Sequence, residues 1–125
     1  MTAAVFIGIC VAGGLGAAAR FWVDASVRNR FGTRVPWGTA VINLSGSLLL
    51  GLLTGLATAA LVSADWKAIL GTGLLGGYTT FSTATFETVR LLQEGRRPAA
   101  VVNGVGQLAV AILLSWGGFA LGAAL

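Results

Sequence analysis

Four long stretches of the chain carry almost no charge, and short polar stretches separate them. The first runs from about Ala3 to Trp22 and gives way to Arg20, Asp24, Arg28, Asn29, Arg30, Arg34 and Pro36, which reads as a connecting loop. The second starts at Trp37 and stays uncharged to about Val62, after which Ser63 to Lys67 reads as a short turn. The third covers about Ala68 to Leu92, interrupted by Gly76-Gly77 and a run of hydroxyls, and Gln93 to Pro98 forms the next loop. The fourth, about Ala99 to Ala123, closes the sequence. A helix rises about 1.5 Å per residue, so about 20 residues cross a hydrocarbon core of about 30 Å, and each stretch is long enough. A small sheet would leave unpaired edges in lipid. The pattern therefore predicts an all-α membrane protein. Residues 1–125 form a single domain of four transmembrane helices, with the second and third antiparallel neighbours and the third broken mid-membrane.

Three places in these spans are too polar to face lipid. Thr39, Asn43 and Ser47 recur every four residues and stack on one helical face, with Thr54 and Thr58 further along much the same stripe. An intramembrane Asn serves either as interhelical glue or as pore lining, and spacing alone does not separate the two. In the third span, Gly76-Gly77-Tyr78-Thr79-Thr80-Phe81-Ser82-Thr83-Ala84-Thr85 is poor helix-forming sequence, and irregular backbone at this depth requires protein or a water-filled cavity around it. A break there exposes carbonyls that can hold a cation and N–H groups that can face an anion. The bland counterpart is a packed kink whose hydroxyls bond back to the helix. In the fourth span, Asn103 and Gln107 share a face that Ala111 and Ser115 continue. Gly51/Gly55 and Gly118/Gly122 predict close helix contacts. Arg20 either snorkels to the interface or turns inward to a partner, and Glu87 reads as a structural partner for an Arg or as a helix-end acid.

Composition sharpens the class. Hydrophobic residues make up 56% of the chain and charged residues 10%, far from the roughly 25% charged share of soluble domains. Cys10 lies inside the first span and reads as packing. With no histidine and no cysteine cluster, the usual zinc and haem sites and Ser-His-Asp or Cys-His nucleophiles are excluded, so an enzyme is not expected. The net charge of +4 says little about nucleic acid, and no nucleic-acid partner is expected, because the basic residues flank the membrane. Arg20, Arg28, Arg30, Arg34, Arg90, Arg96 and Arg97 lie in or at the edges of the first and third loops, against Lys67 alone on the other side. By the positive-inside rule both arginine-rich loops are cytoplasmic and both termini are outside.

Three motifs carry a resemblance to a known family. Gly13-Gly14-Leu15-Gly16-Ala17-Ala18-Ala19-Arg20-Phe21, then Gly38-Thr39-Ala40-Val41-Ile42-Asn43-Leu44-Ser45-Gly46-Ser47, then Gly73-Leu74-Leu75-Gly76-Gly77-Tyr78-Thr79-Thr80-Phe81-Ser82-Thr83 resemble the Fluc (CrcB-type) fluoride channels in order and spacing. The resemblance covers all four spans. It implies a cell-membrane protein of the bacterial inner-membrane type that lets fluoride leave the cytoplasm passively. Such channels are antiparallel dimers with two narrow pores and a sodium ion at the dimer centre. The carried-over positions are Gly76 and Thr79, whose backbone carbonyls would hold sodium, and Asn43, Phe81, Ser82, Thr83, Asn103 and Gln107 along the pore. An edge-on phenyl ring and amide or hydroxyl donors can each solvate a small anion. The family's second pore phenylalanine falls on Ala84, and its fourth-helix polar track falls on Asn103, Gln107 and Ala111. An antiparallel homodimer requires insertion both ways, and therefore nearly balanced charges. The arginine bias instead favours a heterodimer with a related subunit of opposite bias, the homodimer being the other possibility. The rival functions are a small proton-coupled four-helix multidrug exporter, which wants a buried carboxylate in the first span where this chain has none, and a non-conducting partner subunit.

Overall fold

The computed structural model describes residues 1–125 and is entirely helical. Helix α1 (Ala3–Phe31) is followed by α2 (Trp37–Thr58). The third span has two halves, α3 (64–78) and α4 (Ser82–Gln93), and α5 (Arg97–Ala123) completes the bundle. Three of these helices, α1, α2 and α5, are long and apolar enough to cross a membrane unbroken.

The boundaries differ from the sequence reading in three places, each for a local reason. The expected first loop is mostly helix, and α1 continues to Phe31. No proline intervenes before Pro36, Asp24 pairs with Arg28 one turn on, and the helix stops only at Gly32, whose φ of 78° suits glycine. Helix α2 stops at Thr58, short of Val62, because Ala60 enters the left-handed region at φ 61° and the Leu61 N–H returns to the Leu56 carbonyl. Ser63 to Lys67 is no turn: Ser63 Oγ accepts the Trp66 N–H at 3.4 Å and caps the first turn of α3.

Small residues set the packing, as expected for helices that gain nothing hydrophobic by leaving lipid for one another. Helices α2 and α5 run parallel in close backbone contact. A Cβ added at Gly51 would overlap the Ser115 carbonyl, and one at Gly118 would overlap the Leu48 carbonyl. Gly55 and Gly122 meet the same limit one turn further along. Helix α1 packs in the same way on α3, with Gly16 against Leu74 and Gly77 against Gly13. Two stretches, Ala68–Leu75 in α3 and Val102–Gly106 in α5, are wound as π-helix, a widening that often accompanies functional sites.

Candidate functional site at the helix break

The interruption expected near Gly76-Gly77 lies immediately after them. The backbone turns extended at Thr79 (φ −82°, ψ 161°) and helix resumes at Ser82. Thr80 closes the restart, its Oγ1 accepting the Thr83 N–H at 3.2 Å. The Thr80 N–H, which in a continuous helix would return to the Gly76 carbonyl, instead reaches Asn43 Oδ1 at 2.9 Å. Asn43 Nδ2 donates to the Thr80 carbonyl at 2.8 Å and to Gln107 Oε1 at 3.0 Å. The amide of Asn43 thus satisfies both main-chain groups of Thr80, as a neighbouring strand would, and replaces the helical bonds that the break gives up.

Further polar contacts extend this clamp. Gln107 Nε2 donates to Asn103 Oδ1 at 3.3 Å, and Asn103 Nδ2 donates to Thr88 Oγ1 at 2.9 Å and to the Ala84 carbonyl at 3.3 Å. A continuous chain of hydrogen bonds therefore runs from Thr80 through Asn43, Gln107 and Asn103 to Thr88, linking α2, α5 and α4. Asn103 is buried and sits in the π-wound turn of α5. Tyr78 Oη and Ser45 Oγ bond at 3.0 Å, and Gly46 leaves room for the Thr79 methyl.

Arg20 turns inward. Its Nη1 donates to the Thr79 carbonyl at 3.4 Å, so one of the two carbonyls singled out for a cation is shared with a guanidinium while the Gly76 carbonyl lacks its helical partner. Backbone carbonyls at the end of a half-helix are suitable ligands for a small hard cation. Glu87 accepts from Thr39 Oγ1 at 3.0 Å, and its Oε2, like Arg90 Nε, is buried without a hydrogen-bond partner. Thr54 and Thr58 bond back to the carbonyls of Leu50 and Thr54 and take no part in the site.

A cleft of about 520 Å³ opens beside the break. Asn43, Ser47, Gly76, Thr79, Thr80, Phe81, Ala84, Thr88, Asn103, Gln107 and Ala111 are among its lining residues. Ser82 and Thr83 stand at the surface outside it, and Phe81 projects from the subunit with 86% of its surface free. Phe86, also exposed, lies outside the cleft. Sequence reading missed Thr80, Thr88, Ser45 and Tyr78 as partners. Spacing carried no signal for Thr80 and Thr88, because Thr80 lies in the non-helical break and only Thr88 in α4.

The chain matches the family model described as CrcB-like protein, Camphor Resistance (CrcB), over residues 7–119. It is similar to the fluoride-specific ion channel FluC 1 of Leifsonia xyli, 48% identical over 112 residues, which are 90% of this chain and 82% of that protein. It is also similar to FluC 2 of Cutibacterium acnes (47% identical; 91% and 94% of the two chains) and to FluC of Acidobacterium capsulatum (41%; 94% of each). Both of these are likewise named fluoride-specific ion channels.

Proposed function

This chain belongs to the CrcB family, and on that basis we propose that it is a multi-pass membrane subunit of a fluoride-selective channel that lets fluoride leave the cytoplasm passively. It is a transporter and not an enzyme. The relatives at 41–48% identity over nearly the whole chain carry the fluoride specificity in their names. The single observation that favours this reading at the level of the site is the hydrogen-bonded chain from Thr80 to Thr88 lining a cleft that one subunit leaves open. A narrow row of amides and hydroxyls with Phe81 at its side suits a small dehydrated anion, because N–H, O–H and ring-edge C–H groups all present partial positive charge.

The open side calls for a second subunit. Thr72, Ser82, Thr83 and Thr85 are exposed on the third span; Ser82 and Thr83 bond to Thr80 and Thr85 bonds back to the Phe81 carbonyl, yet together they leave a polar surface where lipid is apolar. An antiparallel second subunit would cover them and bring its own break against this one. Fluoride passing Asn43 would take the Nδ2 hydrogen now given to Gln107, while the bonds to Thr80 hold the amide in place. Phe81, Ser82 and Thr83 would line the pore from the restart of the helix, and Asn103 and Gln107 from α5. The carbonyls of Gly76 and Thr79 would hold a sodium ion between subunits, whose charge favours nearby anions. Arg20 would share the Thr79 carbonyl with it.

The arginine bias supports cytoplasmic first and third loops, extracytoplasmic termini, and a heterodimer with a related subunit over a homodimer. The exporter gains nothing from these residues. The apolar stretch Ala3–Trp22 holds no acid for proton coupling, Asp24 further along α1 is paired with Arg28, and one oxygen of Glu87 accepts from Thr39.

Fluoride efflux from liposomes, read with a fluoride electrode, tests the function. Efflux of fluoride without chloride is expected from this chain together with a related subunit. Absence of flux from both the chain alone and the pair would sink the channel reading.

A further inference from the structure

Two separate arginine-bearing loops meet on one face of the bundle. Arg96, just before α5, reaches across to donate from Nη1 to the Arg34 carbonyl just before α2, so the two loops are tied and bring the backbone of Arg34 close to that of Arg96 and Arg97. Acids on this face are few. Asp24 is taken by Arg28, and Glu94 lies between Arg90 at 3.7 Å and Arg96 at 3.8 Å. Arg30, Arg34 and Arg97 are exposed and face no carboxylate. Parallel α2 and α5 both begin here with no acid in the first turn, which adds to the positive field.

The depth of this surface identifies what it meets. The 22 residues of α2 measure about 33 Å, close to the hydrocarbon thickness, so Arg34, three residues before Trp37, lies at headgroup level. Trp37 and Phe31 are half or more exposed beside it, where interfacial aromatics belong. Topological bias explains how many arginines this side carries, but not the tie that Arg96 makes to the Arg34 carbonyl across two loops. We propose that Arg34, Arg96 and Arg97 form a binding site for the phosphate of an anionic phospholipid headgroup. The guanidinium of Arg34 and that of Arg97 each offer paired N–H donors to phosphate oxygens, and Arg96 fixes the loops that carry them. The site needs only membrane insertion and is independent of the anion the channel conducts.

Native mass spectrometry of the full chain, extracted from membranes holding both zwitterionic and anionic phospholipid, tests it. The expected result is one anionic phospholipid retained per subunit, retention reduced roughly tenfold or more in R34Q/R97Q, and no change in K67Q on the opposite face. The double variant still leaves five arginines against Lys67 and keeps its orientation. Equal retention of zwitterionic lipid, unchanged retention in R34Q/R97Q, or complete displacement of the lipid by inorganic phosphate would each overturn the proposal. Should the double variant fail to accumulate, the unmodified protein decides the matter. In phosphatidylcholine vesicles its unfolding temperature must rise when phosphatidylglycerol is added and fall back at high salt, and no rise overturns the site.

Discussion

Asn43 ties helices together and also stands in the cleft wall, and its geometry shows how one amide does both. Its Oδ1 and one Nδ2 hydrogen are committed to Thr80, while the other hydrogen goes to Gln107 in the cleft wall. Asn43→Ala is therefore expected to strand both main-chain groups of Thr80, costing about 1–3 kcal/mol for each group left unsatisfied, and to lower thermal stability together with fluoride flux. Gln107→Leu leaves the Thr80 bonds in place, so its loss of flux should come with the break intact. Equal destabilisation in the two variants would show that the break depends on Gln107 as much as on Asn43. Phe81 offers the opposite contrast, because its ring makes little contact within the subunit. Phe81→Ala should abolish flux while the unfolding temperature of the separated subunit hardly moves, a comparison that a paired thermal melt and efflux assay makes directly.

At the scale of elements, α2 and α5 are held by contacts that only small residues permit. Gly118→Val would drive a side chain into the Leu48 carbonyl and the Leu52 N–H, both main chain, so neither can swing aside. Overpacking of this kind costs about 1–3 kcal/mol or more, and here it also separates Asn43 from Gln107. Gly117→Ala is the control, since nothing lies within 4 Å of an added Cβ there. Loss of the folded peak in size-exclusion chromatography is expected for the first variant and not for the second. These contacts were legible beforehand because paired glycines four apart have few other uses in a span. The break was legible for a similar reason, double glycine and hydroxyls being poor helix. The end of α1 was not, because a polar stretch such as Asp24 to Arg30 is equally good loop and good exposed helix until the Asp24–Arg28 pair and the stop at Gly32 are seen. Nor was the early end of α2, which rests on Ala60 adopting a backbone conformation that its sequence gives no reason to expect. The inward turn of Arg20 and the partners of Asn103 depend on which helices become neighbours, and periodicity within one helix carries no such information.

The charge pattern acts on the molecule as a whole, because it decides how many orientations the chain can take before any subunit meets another. Seven arginines against one lysine should send nearly every copy into the membrane with both termini outside, so tags at either end are expected on one face only. An antiparallel pair cannot be assembled from copies that all point one way, and the chain expressed alone should then give no fluoride flux. Replacing Arg30, Arg34, Arg96 and Arg97 with Gln and adding A64K on the opposite side brings the two faces nearly into balance without touching the cleft. Tags should then appear on both faces. If flux appears with them, orientation was the only barrier to a homodimer, and Ala84 in place of a second phenylalanine does not prevent conduction. If the tags mix and flux stays absent, insertion is not what limits the chain alone, and the related subunit must bring an aromatic or polar group that Ala84 and the α5 track do not supply. Tags confined to one face after the substitutions would instead mean that something other than loop charge holds the orientation.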